Sequence, residues 1–458
     1  MQLRTTHPIL RLALSAILLA ALALSALPAA AQPPRALSTG FMPASLAGPP
    51  TAPQVALGSL LNPDGSLNLP AEGIPGSIDP TGFALVSGSG EAPRFAPAAP
   101  GDENWAEGFH LPGMNGDVYA LAWDGANLYA GGGFTAAGGA AANYIARWDG
   151  GAWHALGSGA NYNVYALAWD GANLYAGGDF TTAGGVATNR IARWDGSGWY
   201  PLGSGMNGGV YALTWDGANL YAGGDFTTAG GVAANSIARW DGAAWHALGS
   251  GMNGDVYALA WDGTNLYAGG GFTTAGGVAA NHIARWDGAA WSALGSGVDR
   301  WVAALAWDGA NLYASGEFST AGGVAASRIA RWDGAAWHAL GSGMNDRVDA
   351  LAWDGANLYA GGHFATAGGV TAHRIVRWDG STWHSLGSGN GVDYTVAALA
   401  WDGTNLYAGG EFSTAGGVAA NHIARWDGGA WHALGSGMNN DVSDLAWGGT
   451  NLYAGGSF

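Results

Sequence analysis

Val118-Tyr119-Ala120-Leu121-Ala122-Trp123-Asp124-Gly125 decides the fold, because the phrase returns. Its Trp recurs at 169, 215, 261, 307, 353, 401 and 447. The spacing is 46 residues, broken by one interval of 48 where the stretch Asn390 to Thr395 is longer. A second phrase, Ile145-Ala146-Arg147-Trp148-Asp149-Gly150, repeats with Trp at 194, 240, 286, 332, 378 and 426. A third Trp stands five residues beyond each of these, from Trp153 to Trp431. Self-similarity at a period of about 40–50 residues marks a propeller or an array, and it outranks any local propensity argument.

Each unit reads as four short strands: 118–123, 128–131, 145–148 and 153–156. The first and second are joined through Asp124-Gly125, the third and fourth through Asp149-Gly150. Asp-Gly suits tight hairpins because Gly accepts positive φ. One repeat is therefore two hairpins, a four-stranded antiparallel sheet, and the Gly content excludes helix. In the first strand Val118, Ala120 and Ala122 are expected on one face and Tyr119, Leu121 and Trp123 on the other. Neither face is polar, so both are buried. Radial stacking of twisted sheets meets that demand and leaves only short edges, with three Trp per repeat as the glue between blades.

The fold class predicted is all-β, a single β-propeller of four-stranded antiparallel blades. Leu-Tyr-Ala-Gly-Gly, then Asn-x-Ile-Ala-Arg-Trp-Asp-Gly, then Trp-x-x-Leu, resembles the kelch repeat of the galactose-oxidase-type propeller superfamily. The wording is also similar to repeats of fungal bud-site polarity markers and of exported bacterial proteins. The WD-repeat family is a weaker match, since Trp-Asp-Gly here opens a turn rather than ending a strand. Galactose oxidase chemistry, which the superfamily implies, needs a Cys cross-linked to a Tyr, and the chain has no Cys.

Counting strands predicts eight blades: seven complete and one composite, in which Trp105 to Phe109 joins the final hairpin of 442–447 and 452–455. Seven blades, with that hairpin left over, is the alternative. Phe458 stands inside a motif that elsewhere continues Thr-Thr-Ala-Gly-Gly, the pattern of a truncated reading frame.

Three segments follow from composition. Residues 1–31 read as a cleaved signal peptide: Arg4 and Arg11, an apolar run from Leu12 to Leu27, and an Ala29-Ala30-Ala31 cleavage site. That run is short for a bilayer span, which needs about 20 residues. Residues 32–104 hold 13 of the 17 prolines and read as a linker, with Phe83, Leu85, Val86 and Phe95 ordering its end against the folded body. Residues 105–458 are the propeller. The expected product is secreted or displayed at the cell surface, monomeric, with no transmembrane helix in the mature chain.

The composition excludes several chemistries. With no Cys there is no thiolate nucleophile, disulfide or Cys-ligated metal. All 16 basic residues are Arg, so there is no Schiff-base or P-loop lysine. A formal charge of −17 without a basic stripe excludes nucleic acid as partner.

What differs between copies carries the remaining signal. The residue after Gly-Gly runs Gly133, Asp179, Asp225, Gly271, Glu317, His363, Glu411; the residue 11 later runs Tyr144, Arg190, Ser236, His282, Arg328, Arg374, His422. Asp179 with Arg190, Glu317 with Arg328, and Glu411 with His422 are predicted cross-strand pairs of a structural kind. The sharper alternative is an acidic ring of Asp179, Asp225, Glu317 and Glu411 holding a cation such as calcium. Against it, calcium takes about six to eight converging oxygens and no Asp-rich loop supplies them. His363, His373 and Arg374 share a hairpin base, an incomplete zinc set. His154, His246, His338, His384 and His432 form a solvated stripe on the outermost strand, and Arg147 and its counterparts are read as pairing with the Trp-Asp-Gly aspartates. No catalytic set and no cofactor are assigned. The expected function is a non-catalytic interaction scaffold with a protein or envelope polysaccharide as partner. A multivalent carbohydrate-binding propeller is the alternative, favoured if the third Trp is exposed. A propeller hydrolase or lyase is more distant.

Overall fold

The structure, a computed structural model, describes residues 114–387, 391–448 and 451–458, together with four short strands at 54–56, 77–79, 83–86 and 94–97. Those four belong to a separate unit, 26–108. In it Gln54–Ala56 runs parallel to Ser77–Asp79, and Phe83–Val86 pairs antiparallel with Arg94–Pro97. All four strands thus fall within the stretch, 32–104, read as linker. The signal peptide and the strand expected at 105–109 lie outside the described residues.

From residue 114 onward the chain is built of sheets whose strands follow one another in order, 1-2-3-4, all antiparallel. In the second blade these are Val164–Trp169, Leu174–Gly178, Ile191–Trp194 and Trp199–Pro201. Among the described residues there are seven such four-stranded blades, and the first strands of successive blades lie against each other as the innermost ring. The final hairpin, Val442–Trp447 with Leu452–Gly456, forms a two-stranded sheet between the seventh blade and the first. It closes the circle: Tyr453 stacks on Trp123 at 5.3 Å, and Leu121 N donates to Asp444 Oδ2 at 3.2 Å. The fold is a β-propeller. Seven complete blades are present, with the eighth position held by this hairpin.

Local chemistry explains the hairpins. Asp170 Oδ1 accepts from the backbone N–H of Ala172 and Asn173, while Oδ2 accepts from Asn173 Nδ2 and the Tyr175 hydroxyl. The turn therefore folds around one carboxylate, with the following Gly171 at φ 98°. The second-to-third connection carries an additional element, a ribbon of two residues a side such as Thr182–Ala183 with Val186–Ala187. Asn161 ties it to the start of the blade by accepting from Thr181 and Thr182 N–H.

Blades join through three contacts that recur around the ring. The second-strand Tyr stacks on the first Trp of the next blade, as Tyr175 does on Trp215 at 6.0 Å. The third Trp donates its indole N–H backward to a Leu carbonyl of the preceding blade, Trp245 to Leu202 at 2.8 Å. The Gly-Gly of the second strand admits the next inner strand: a Cβ on Gly177 would stand 2.5 Å from Val210 Cγ1. The glue expected from three Trp per repeat is confirmed, with Gly and Tyr as its counterparts.

Blade five departs from this rule. Ser315 replaces the first Gly, is wholly buried, and its hydroxyl has no hydrogen-bond partner. An unsatisfied buried hydroxyl costs about 1–3 kcal/mol, more than the roughly 0.5–1 kcal/mol that Gly loses in strand entropy. Ser315→Gly is expected to raise unfolding free energy by about 1 kcal/mol in denaturant titrations.

Asp444 stands where the other inner strands have Ala, is 2% exposed, and has its carboxyl held well above the usual range by burial, which outweighs the N–H groups of Leu445 and Leu121. Because the folded value is raised, the stability this group contributes is complete below the unfolded carboxylate range of about pH 4. It is lost as pH climbs through the raised folded value. Thermal melts are expected to fall over that interval, and Asp444→Asn is expected to flatten the dependence; an unchanged profile in the variant would remove Asp444 as its source.

Candidate functional site at the inner-strand mouth

Every innermost strand carries a bulge at its second residue. Val164 pairs with Gly178 and Ala166 with Gly177, so Tyr165 is left out of register. A bulge re-aims the extra side chain, which overturns the simple alternation that grouped Tyr119 with Leu121 and Trp123. The re-aimed residues are Tyr119, Tyr165, Tyr211, Tyr257, Ala303, Asp349, Ala397 and Ser443. The four tyrosines meet from blade to blade at ring distances of 5.7, 6.1 and 6.3 Å, and Trp301 extends the arc at 6.4 Å from Tyr257.

Carboxylates sit against this arc. The Tyr165 hydroxyl donates to Asp179 at 3.0 Å, Tyr211 to Asp225 at 2.8 Å and Tyr257 to Asp255 at 3.1 Å. Burial raises the Asp179 carboxyl, opposed by Tyr165 and Arg190 and reinforced by Asp225. Burial likewise raises Asp255, again with Asp225 adding repulsion. Glu317 and Glu411 occupy the same phase, their N–H groups donating to Trp301 O and Thr395 O. The four acids of the expected ring therefore share one mouth of the propeller. Among the described residues no three His, Asp or Glu side chains converge closely enough to hold a metal ion.

The expected cross-strand partners are backbone neighbours. Gly178 N donates to Arg190 O and Arg190 N to Phe180 O, so Asp179 lies opposite Arg190; the same pattern holds at Arg328 and His422. Their side chains, however, go elsewhere, and no ion pair within 4 Å links them among the described residues. Arg190, Arg328 and His422 have φ of 73°, 65° and 63°. In that left-handed conformation Arg328 Nη1 reaches Met344 O of the next blade at 3.3 Å. His422 Nδ1 lies 3.1 Å from Gly410 O and 3.4 Å from Asp441 of the next inner strand. Arg328 and His422 thus make contacts that span blades, while Arg190 Nε is buried without a hydrogen-bond partner among the described residues.

Blade six breaks the symmetry. Asp349, 5% exposed, takes the tyrosine position; Arg347 Nε donates to its Oδ1 at 2.7 Å and His363 Nδ1 meets its Oδ2 at 2.9 Å. On the far side of the ring His363 Nε2 lies 3.3 Å from the Thr395 hydroxyl of blade seven. His363 therefore belongs to this cluster rather than with His373 and Arg374. Reading the second column of the repeat, where Tyr gives way to Asp349, is the signal that finds it.

The outer features are structural. His154, His246, His338, His384 and His432 each meet the Asp of their own turn at 2.6 Å, such as Asp241 for His246. Those aspartates cap turns and bind His, which corrects the expected pairing with Arg147 and its counterparts; Arg331 and Arg425 instead donate to Asn311 and Asn405. The third Trp is 4–6% exposed from Trp199 to Trp431.

No family model and no curated protein matches the chain. Among solved structures it is similar to the computationally designed Ika8 protein, at 20% identity and a TM-score of 0.52 over 76% of this chain and 95% of that one. It is similar also to Sqt1 of Saccharomyces cerevisiae, at 13% identity and 0.46 over 75% and 94%. The WD40 β-propeller domain of Doa1 follows at 12% and 0.43, over 69% and 93%. At 20% identity the likeness to Ika8 extends to the fold alone.

Asp349 is buried but Arg347 and His363 are partly exposed, so the loss is that of charge-assisted hydrogen bonds rather than of a fully buried ion pair. Asp349→Ala is expected to lower stability by about 1–3 kcal/mol, whereas Ser443→Ala, at the same ring position, is expected to change it by less than about 0.5 kcal/mol. Denaturant midpoints of both variants check the pair.

Proposed function

We propose that the protein is a non-catalytic interaction scaffold built of kelch-like repeats, exported through its N-terminal signal and acting outside the cell or at its surface, and that the inner-strand mouth is its contact face. The observation that carries this reading is the burial of the third Trp. From Trp199 to Trp431 each is buried against the ribbon of its own blade and donates its N–H to the blade before, so in six of the seven copies the residue best suited to stacking on sugars is committed to the interior. The repeated-lectin alternative loses its platform. What breaks the ring's symmetry on the surface is the mouth, with an aromatic arc on one side and the Arg347–Asp349–His363 cluster on the other. Aromatic and Arg side chains are the types that anchor protein interfaces.

Photo-crosslinkers placed at Tyr211 and Tyr257, and separately at His246 on the outer strand, test the assignment in the cells that make the protein. Discrete protein adducts from the mouth positions and not from His246 support it. Adducts from neither position, or saturable binding of polysaccharide at several sites per chain, with or without calcium, overturn it.

A second reading has one observation in its favour. Asp349, His363 and Thr395 form an orienter–base–hydroxyl line, the geometry of a nucleophilic set. Thr395 is only 3% exposed and Arg347 lies 3.3 Å from both ring nitrogens of His363, which suits a fixed polar ladder better than a base that must take up a proton. Hydrolysis of a chromogenic ester abolished by His363→Ala would establish the enzyme reading; equal background rates in both proteins exclude it for such esters.

A further inference from the structure

Between the third and fourth blades lies an open polar groove of about 540 Å³, lined by Asp225, Asn235, Ser236, Met252, Asn253 and Asp255 among others. It opens where the sequence changes. Of the residues 11 beyond the Gly-Gly pair, Ser236 alone is small; its counterparts are Tyr144, Arg190, His282, Arg328, Arg374 and His422. Ser236 is 7% exposed, and its hydroxyl makes no hydrogen bond among the described residues. Blade three thus keeps the acid, Asp225, that three other copies set opposite Arg190, Arg328 and His422, and replaces the base.

The other blades show what fits. In blade five Arg328 donates to Met344 O, whose counterpart beside Ser236 is Met252 O. In blade seven His422 approaches Asp441, whose counterpart is Asp255. At Asp179, the counterpart of Asp225, burial raises the carboxyl and the charge of Arg190 offsets part of that rise. In blades five and seven, then, acceptors equivalent to those of the groove receive a basic side chain from the chain itself. Here neither Asp225 nor Asp255 takes part in an ion pair among the described residues, and each accepts only a tyrosine hydroxyl at its side chain.

We infer that the Ser236 groove is a binding site for a guanidinium group, an arginine side chain presented by a partner protein in place of the one that blade three lacks. A planar guanidinium offers donors to the Met252 carbonyl and to both carboxylates at once, which a neutral polyol does not match in charge. The inference rests on the scaffold reading only for the source of the arginine; the site itself is tested without any partner.

The probe is N-acetyl-L-arginine methylamide, titrated into the full chain by calorimetry or NMR, with the citrulline analogue as a neutral isostere. Saturable binding at one site, weakened by salt and absent for citrulline, is the expected result. Ser236→Arg, a residue three other blades hold at the same left-handed φ, is expected to occupy the groove and abolish binding while leaving the melting temperature unchanged or higher. Asp255→Asn is expected to weaken binding about tenfold or more. Equal binding to Ser236→Arg, equal affinity for citrulline, or no binding to the wild-type chain overturns the site. None of those outcomes touches the crosslinking result at Tyr211 and Tyr257, so the two failures remain distinguishable.

Discussion

The contact between one blade and the next is the constraint on which everything else depends. A four-stranded sheet of this composition has no polar face and cannot stand in water alone, so each blade is stable only as the wall of its neighbour. Three fittings make the wall: a Tyr stacked on the next Trp, an indole N–H returned to the preceding Leu carbonyl, and a Gly that lets a Val side chain come close. Because these fittings use the same residues at each step, the sequence between them is constrained nearly to identity. Variation is concentrated in places outside these three fittings, chiefly the bulge and the ends of the second and third strands.

That confinement explains where a contact surface can arise. Large aromatic residues are plentiful, yet most are spent on packing, and charge is mostly spent on turns, where each Asp folds the chain around itself. The inner-strand mouth escapes both demands. A bulge lifts one side chain per blade out of the sheet, so that position is free to be Tyr, Ala, Asp or Ser without disturbing the interface behind it. One half of the mouth is then aromatic with carboxylates, and the other carries a Arg–Asp–His group.

Much of this was legible in the sequence, for a physical reason. The 46-residue period, the Asp-Gly turns and the three Trp are each tied to a fitting that recurs from blade to blade, so Trp245 announces its role in every copy. What was not legible depends on geometry that the pattern does not encode. The alternation of Val118 to Trp123 conceals the bulge, because Val and Ala satisfy either arrangement. Glu411 and His422 are neighbours as expected, but at positive φ the His422 side chain reaches Asp441 instead, and no residue type reports that angle unless it is Gly. Asp349, His363 and Thr395 come from three strands and two blades, and only their departure from the repeat marks them.

Near-identical blades also raise a question of assembly. Any blade can dock on any other with the same fittings, so stacking by itself contains no instruction about order or about when to stop. A chain folding by such contacts risks joining non-adjacent copies, or copies from two molecules, into rings of the wrong membership. Asp444 answers part of this. It is the single departure from Ala at its column, and it offers its carboxylate to Leu121 N of the first blade. The carboxyl acts as an address: it makes the junction between the final hairpin and the first blade unlike every other junction in the ring.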